Sequence, residues 1–243
     1  MGGVVDELSN KNAAPKVPRF CYNTHMKHLL VAILFLAAAP LALAFNIQEL
    51  SPERPYDPLG IEYDQDQQMV LLGSLDQFPL MYEMKVEREI ELRLQLRQSI
   101  RASSMPVPFS LIVVKQEIEG RGVTEIGRMS SEPVNWTSVK DKNFGMTFRE
   151  SEVFTALIEP GVYNIEVSTP ENIGKYMLLV GNQELGVSYG QTLSNIRTTQ
   201  KFFGYSIFSM LLVPQVYYPL GVLILLFGIH RTWKLRKNIS HVA

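Results

Sequence analysis

The side chains that most often carry catalysis or bind metals lie near the two ends of this sequence. All four histidines fall outside residues 45–201: His25, His28, His230 and His241. The one cysteine, Cys21, also precedes that range. A segment without histidine or cysteine excludes Ser-His-Asp and Cys-His catalysis and the usual zinc site. The sequence therefore predicts no catalytic, cofactor-binding or metal-binding residues of these kinds between residues 45 and 201.

Carboxylates are the reactive groups that remain. Residues 45–201 hold 22 Asp and Glu against 15 Lys and Arg, a net charge of −7. A pair of carboxylates could support glycoside hydrolysis, although no spacing distinguishes one pair among so many. Four acids could offer oxygen ligands to Ca²⁺ but lack the pattern of a calcium loop: Asp57, Glu62, Asp64 and Asp66. A net acidic range also gives no basis for binding nucleic acid or anionic lipid headgroups.

Residues 26–44 have the pattern of a secretory signal peptide. A basic start, Met26-Lys27-His28, is followed by an uncharged run from Leu29 to Ala39 and by Ala42-Leu43-Ala44. This order predicts export and cleavage after Ala44, with an uncleaved amino-terminal anchor as the alternative. Residues 1–25 are polar and show no apolar period. We expect them to be either a disordered extension or sequence upstream of the real start at Met26.

A second apolar segment lies near the carboxyl terminus. No charged residue occurs from Phe202 to Ile229, which is 28 residues. At about 1.5 Å per residue, a helix of that length exceeds a hydrocarbon core of about 30 Å. Residues 231–243 then carry four cations and no acid, the flank typical of the cytoplasmic side. The sequence predicts one transmembrane segment over residues 202–230, best at Ser209–Ile229, with a buried helical hairpin as the alternative.

The two apolar segments together predict the topology of a type I single-pass membrane protein. Its middle would lie outside the cytoplasm and its basic tail inside, in a cell membrane. Pro214, Gln215 and Pro219 interrupt the second segment, so we expect a kink or only partial immersion in lipid. Tyr217, Tyr218 and Trp233 are candidates for the membrane interface.

Residues 67–181 read as short strands. The apolar positions from Ile90 to Leu96 alternate with charged or amide residues, which places the apolar side chains on one face of a strand. Further strands are predicted at 69–72, 109–115, 123–126, 153–158, 162–167 and 176–180. Such a series predicts an antiparallel β-sandwich. Residues 45–66 are expected to be an extended lead-in without strands, and residues 182–201 a juxtamembrane linker or short helix.

One stretch, Leu157 to Gly181, carries a recognisable pattern. Its residues 161–167 read G-x-Y-x-I-x-V, and residues 172–180 read N-x-G-x-Y-x-L-x-V. Both resemble consecutive strands of bacterial pre-peptidase C-terminal domains, and the whole resembles a set of uncharacterised signal-bearing, single-span bacterial membrane proteins. The resemblance implies a jelly-roll-like sandwich with an accessory binding role and no catalytic residues. The motif residues are structural in this interpretation: Gly161, Tyr163, Gly174 and Tyr176. The hydroxyls of the two tyrosines are expected at the edge of the sandwich.

These observations favour a single-pass cell-envelope protein whose extracytoplasmic β-sandwich is not an enzyme and serves binding or assembly. A protein partner or a membrane subunit is the expected partner, and no cofactor is expected. Two alternatives remain. The first is an accessory subunit of a membrane transporter or enzyme complex, because a polar residue inside a span seeks a partner. The second is a glycan-active enzyme that uses two carboxylates.

Overall fold

The computed structural model describes residues 46–63, 68–101, 107–117, 122–130, 136–181 and 188–239, with side chains described as far as residue 232. The predicted extension, signal peptide and cleavage site at Ala44 lie outside these residues. Twelve strands occur within the described ranges: β1 (Asn46–Glu49), β2 (Leu59–Ile61), β3 (Met69–Asp76), β4 (Leu80–Val86), β5 (Ile90–Ser99), β6 (Ser110–Gln116), β7 (Val123–Met129), β8 (Thr137–Asp141), β9 (Met146–Glu150), β10 (Phe154–Ile158), β11 (Gly161–Ser168) and β12 (Ile173–Val180). They form two mixed sheets packed as a sandwich, which confirms the predicted mainly β fold.

The first sheet has the strand order β1-β3-β12-β5-β9-β8, and the second has the order β2-β4-β11-β6-β7. Strand β5 lies at the centre of the first sheet. It pairs with β12 along one side, while β9 and β10 share its other side. Leu92, Leu94 and Leu96 are fully buried between the sheets, so the alternation predicted for this strand is correct.

Two edge pairs differ from the predicted antiparallel arrangement. Strand β1 pairs parallel with β3, and β2 pairs parallel with β4. Both short strands lie in residues 45–66, which the sequence predicted as a lead-in without strands. The prediction failed because strands of three or four residues are too short to show a period of two. An edge strand also needs only backbone groups on one side to pair.

Three further strands were not predicted: β4, β8 and β9. Residues 142–145 form the turn between β8 and β9, with Gly145 at a φ of +63°. The residues of β8 are mostly exposed, so its sequence shows no alternation. Strand β4 does alternate, with Leu80, Tyr82, Met84 and Val86 buried, and the signal that identifies β5 is present there as well.

The first sheet is covered on both faces, which produces two cores. Leu71 and Leu178 point into the core between the sheets. Their neighbours Val70, Leu72 and Met177 point the other way, into a second core beneath the carboxyl-terminal helices. Burial on both faces explains why β3 and β12 are continuous apolar runs rather than alternating ones.

Three helical elements follow the sandwich: α1 (Tyr189–Phe202), a 3-10 helix (Ile207–Leu212) and α2 (Pro214–Ile239). Helix α1 begins at the cap residue Ser188, whose hydroxyl accepts a hydrogen bond from the Gln191 amide. It ends at Gly204, whose φ of +76° is the left-handed conformation that terminates many helices. Helix α1 packs on the first sheet through the second core, so this part of residues 182–201 belongs to the domain.

Candidate functional site

Exposed apolar side chains are concentrated in one part of the chain. Twelve of the nineteen large apolar side chains that are exposed within the described residues lie between Ile207 and Ile229. Isolated exposed apolar residues are ordinary on protein surfaces, whereas a contiguous group marks a contact with a membrane or another protein. We call residues 207–229 the apolar segment and treat it as the candidate functional site.

The first part of the apolar segment is the 3-10 helix. Four of its six side chains are exposed: Ile207, Phe208, Leu211 and Leu212. Phe208 is 74% exposed and Leu212 67% exposed, although both are large apolar residues. Ser209 is buried and faces the domain. A six-residue element that buries its serine and exposes its phenylalanine is not arranged to stabilise this domain.

The second part is the middle of α2, from Leu220 to Ile229. Leu220 and Ile229 are nine residues apart, which places them on opposite sides of the helix at about 100° per residue. Both are exposed, as are Leu223, Ile224, Leu225 and Phe227. A helix that is apolar on all sides requires an apolar environment on all sides. The described residues of the sandwich do not supply that environment.

Among the described residues, no helix is both long enough and apolar enough to cross a membrane. The predicted spanning helix over residues 202–230 is therefore not supported in that form. The chain breaks at Val213, which is extended, so the 28 uncharged residues do not form one helix. The apolar stretch of α2 is ten residues, or about 15 Å of helix against a hydrocarbon core of about 30 Å.

The last acidic residue in the sequence is Glu184, and the charge balance changes there. From Leu185 to the carboxyl terminus there are six Lys and Arg and no Asp or Glu. Residues 46–184 hold 13 Lys and Arg and 22 Asp and Glu. The net charge of −7 for residues 45–201 averages over this boundary and hides it. The apolar segment therefore lies within the cationic part of the chain.

The apolar segment is attached to the sandwich through the second core. The Gln200 side-chain amide donates to the Phe144 carbonyl at 2.9 Å, and the Lys175 ammonium donates to the Phe202 carbonyl at 2.9 Å. Phe203 packs edge-on against Phe148 of β9, with ring centroids 5.9 Å apart. Charge-assisted and buried contacts of this kind hold α1 in one position.

A tyrosine joins the start of α1 to the start of α2. Pro219 has no backbone N–H, so the Gln215 carbonyl four residues earlier has no helical partner. The Tyr189 hydroxyl donates a hydrogen bond to that carbonyl instead. The Gln215 side-chain Oε1 is buried and has no hydrogen-bond partner within the part of the chain that the structure describes. Tyr217 and Tyr218 follow, with ring centroids 4.5 Å apart.

The four motif residues lie in the sandwich and not at the apolar segment. Gly161 begins β11, and a Cβ there would lie 2.9 Å from the Lys115 side chain. Gly174 has a φ of +138°, which favours glycine. The Tyr163 hydroxyl donates to the Glu159 carbonyl at 2.7 Å at the end of the strand. These contacts are local and structural.

The fourth motif residue, Tyr176, extends further into the core than the sequence indicated. Its hydroxyl was expected at the sandwich edge, but it lies 2.8 Å from the Tyr82 hydroxyl of the opposite sheet. A Cβ on Gly73 would lie 2.4 Å from the Tyr176 ring, so only glycine leaves room for this pair. Burial raises the pKa of Tyr82, an effect that the hydrogen bond from Tyr176 partly opposes, and burial raises the pKa of Tyr176 well above its usual value.

The acidic chemistry left open by the sequence finds little geometric support. Asp141 and Glu150 are brought together, but both contact the Arg97 guanidinium, at 3.1 and 2.9 Å. This arrangement engages both carboxylates in ion pairs with one arginine. No group of three or more potential ligands that could hold a metal ion occurs within the described ranges. Asp64 and Asp66, two of the four candidate calcium ligands, lie outside those ranges.

A shallow cavity of about 300 Å³ lies at the edge of the sandwich between β7 and β10. Its lining includes Trp136, Phe154, Arg128 and Glu152. This volume is at the lower end of those that hold small molecules. One cation and one carboxylate beside two aromatic rings do not specify a class of ligand.

Sequence reasoning found the apolar segment but misread its form. The interruption predicted at Pro214 is present as the break at Val213, whereas the predicted spanning helix over residues 202–230 is not supported. The boundary at Glu184 could have been found by counting acids along the chain rather than over the whole range. The Tyr82–Tyr176 contact joins two sheets and has no signal in local sequence.

No protein-family model matches the chain, and no curated protein matches it. Several solved structures are similar at low scores, among them the following three. The pre-peptidase C-terminal domain of collagenase from Bacillus anthracis is 14% identical, with a TM-score of 0.31 over 54% of this chain and 98% of that one. The Yersinia pseudotuberculosis-derived mitogen is 11% identical, with a TM-score of 0.34 over 51% and 92%. PliG of Aeromonas hydrophila, a periplasmic inhibitor of g-type lysozyme, is 13% identical, with a TM-score of 0.32 over 58% and 100%. At these scores the likeness assigns neither a family nor a function to the chain.

Proposed function

We propose that this chain is an exported, membrane-anchored β-sandwich that binds or assembles with a protein partner and is not an enzyme. The apolar segment is the anchor. The observation that carries the proposal is the middle of α2, where apolar side chains are exposed all round the helix. A lipid environment would cover every side of that helix at once.

The flanks of the segment support the same proposal. Tyr217 and Tyr218 precede the apolar stretch of α2, and such aromatic residues are enriched at membrane interfaces. Arg231 follows it, and three more cations lie in the tail. A basic flank favours retention of the tail on the cytoplasmic side, with the sandwich outside. Because the apolar stretch of α2 is short, crossing in this orientation requires local thinning of the bilayer or flanking side chains that extend to the interface. The predicted signal peptide and cleavage after Ala44 belong to this proposal as well.

The non-enzymatic part of the proposal rests on the chemistry of the sandwich. Residues 45–201 contain no histidine or cysteine, and the carboxylates of Asp141 and Glu150 are held by Arg97. A glycosidase needs two carboxyl groups that face the scissile bond. The Arg97 guanidinium lies against both of these carboxylates, so this pair does not support the glycan-active alternative.

Anchoring is tested by membrane extraction of the full chain with a matched pair of variants. Leu225 in α2 is 67% exposed and Leu157 in β10 is 70% exposed. Because an Asp near the centre of a membrane-inserted helix costs about 2.5–3.5 kcal/mol, we expect Leu225→Asp to move the protein from the carbonate-resistant membrane fraction into the soluble fraction. Leu157→Asp should stay in the membrane fraction. Equal behaviour of the two variants would refute the proposal.

Topology is tested on the same membranes. In intact cells, protease added outside should remove the sandwich and leave the tail, and the amino terminus of the mature protein should follow Ala44. A tail cut from outside would show that the segment enters the membrane without crossing it.

A second candidate function is an accessory subunit of a multi-span membrane complex. The apolar side chains that are exposed on α2 can pack on the helices of another membrane protein as well as on lipid. Purification in mild detergent through the carboxyl-terminal tail should then recover a multi-span protein, and recovery of this chain alone would exclude the candidate.

A further inference from the structure

The 3-10 helix exposes a second apolar surface outside α2. Ile207, Phe208, Leu211 and Leu212 lie on both of its turns and project from the domain. If α2 alone were the anchor, these side chains would remain in water. Their exposure therefore calls for a second apolar contact next to the membrane.

The 3-10 helix cannot swing away from the sandwich. Val213, its cap residue, is fully buried in the second core. A Cβ on Gly145, in the β8–β9 turn, would lie 3.1 Å from Val213, so the turn and the helix are in close contact. On the other side of Val213, the amides of Val216 and Tyr217 donate to the Val213 carbonyl at 2.9 and 3.0 Å. The exposed surface is therefore fixed relative to both the sandwich and the start of α2.

Three cations lie on the segments that adjoin this surface in sequence or in space. The Arg101 guanidinium lies 5.0 Å from the Tyr205 ring, one turn before the 3-10 helix. Lys201 is exposed in the last turn of α1, and Lys142 is exposed in the β8–β9 turn. The neighbouring acid, Asp141, is bound to Arg97. The charge next to the 3-10 helix is thus opposite to that of the sandwich as a whole, which is acidic.

We infer that the 3-10 helix is an interfacial contact that inserts Phe208 and its apolar neighbours into an anionic lipid surface, so that the helix-covered face of the sandwich lies against the bilayer. Apolar residues flanked by Lys and Arg are the composition that binds anionic lipid interfaces. The acidic remainder of the sandwich is repelled by the same surface, which favours this one orientation. The inference rests on the proposed membrane anchor. It adds a second contact with the bilayer and a requirement for anionic lipid at that contact.

The test places an environment-sensitive fluorophore on single cysteines of the full chain. Cys21→Ser removes the native thiol, and Phe208→Cys, Leu225→Cys and Leu157→Cys provide the labelled sites. Each protein is reconstituted in vesicles of phosphatidylglycerol with phosphatidylethanolamine, or of phosphatidylcholine alone, with and without a nitroxide-labelled lipid. In anionic vesicles we expect blue-shifted emission and nitroxide quenching at positions 208 and 225, and neither at position 157. In phosphatidylcholine vesicles the signal at position 208 should be lost while that at 225 remains.

Each other outcome counts against the inference in a distinct way. Quenching at 225 with a water-like signal at 208 would overturn the inference and leave the proposed anchor intact. Loss of quenching at both positions would overturn both. A blue shift at 208 without nitroxide quenching would show that a protein, such as a second copy, covers the helix. Equal quenching at 208 in both kinds of vesicle would overturn the anionic requirement.

Discussion

The sandwich and the apolar segment use the same types of side chain in opposite ways. Phe203 lies in the second core, almost fully buried against Phe148, while Phe208, five residues later, is 74% exposed. The sandwich is acidic and buries its apolar side chains between its layers. The apolar segment lies in a cationic part of the chain, and most of its large apolar side chains are exposed. Composition therefore does not distinguish residues that hold the fold from residues that bind a surface. The two groups of residues differ in what covers each side chain.

The largest expected effect is the difference in stability between variants of these two phenylalanines. Phe203→Ala should lower the free energy of unfolding by about 3–5 kcal/mol, because it empties a site in the second core. Phe208→Ala should change it by no more than about 0.5 kcal/mol, because that side chain contacts little of the domain. Urea unfolding of both variants in the same detergent measures the difference.

A similar loss of stability in the two variants would contradict the comparison. It would mean that Phe208 is covered within the folded chain. The vesicle experiment with Phe208→Cys provides the complementary result, since the surface contact and the stability should respond to different residues.

A second effect tests how closely the first core is packed. Gly73→Ala would place a Cβ 2.4 Å from the Tyr176 ring and 2.7 Å from the Tyr82 hydroxyl. Both tyrosines are fully buried, so moving either ring aside would disturb the packing of the core. We expect the free energy of unfolding to fall by about 3 kcal/mol. Gly60→Ala is the control, because a Cβ there meets nothing within 4 Å. Thermal unfolding of both variants checks this prediction, and equal melting temperatures would contradict it.

The sequence predicted several strands whose periodicity is local, although β4 alternates as clearly as β5 and was not among them. Strand β5 was evident because one face is buried between the sheets and the other is polar. Strands β1 and β2 were missed because pairing at a sheet edge uses backbone groups that no side-chain pattern reports. The break at Val213 depends on the second core, which buries that residue, and such burial comes from contacts distant in sequence.

The candidate site was predictable in position but not in shape. The uncharged run and the basic tail indicated where an apolar surface begins and ends. That the run divides into a short 3-10 helix and a longer α-helix follows from Pro214, which begins α2, and from the tight packing of Gly145 on Val213. The second of these contacts joins residues far apart in the sequence.

A third effect concerns the hydroxyl pair that crosses the first core. Tyr82→Phe should cost about 1–3 kcal/mol, because it leaves the buried Tyr176 hydroxyl without its partner. Tyr176→Phe should cost a similar amount. The double variant should cost less than the sum, since no unpaired hydroxyl remains. A double-mutant cycle from urea unfolding measures the coupling, and additive costs would show that the hydrogen bond contributes nothing.

The same pair predicts a loss of stability in alkali. The folded state raises the pKa of both tyrosines, so they stay protonated when folded and ionise when unfolded. Stability from this source is complete below the unfolded tyrosine pKa of about 10 and declines as the pH rises above it. The double phenylalanine variant should show a weaker decline between about pH 9 and 11. An unchanged pH profile would contradict the assignment.

The smallest expected effect tests the connection between the two regions. The Tyr189 hydroxyl donates to the Gln215 carbonyl that Pro219 leaves without a helical partner. The bond lies at an exposed site where water can replace it, so Tyr189→Phe should change the global free energy of unfolding by less than about 1 kcal/mol. Amide hydrogen exchange in the first turns of α2 should nonetheless become faster, because the helix has lost its contact with α1. Tyr56→Phe, an exposed tyrosine in the sandwich, is the control and should leave that exchange unchanged. If Tyr189→Phe also leaves it unchanged, the packing of Val213 and Val216 on the second core holds α2 to the domain without this hydrogen bond.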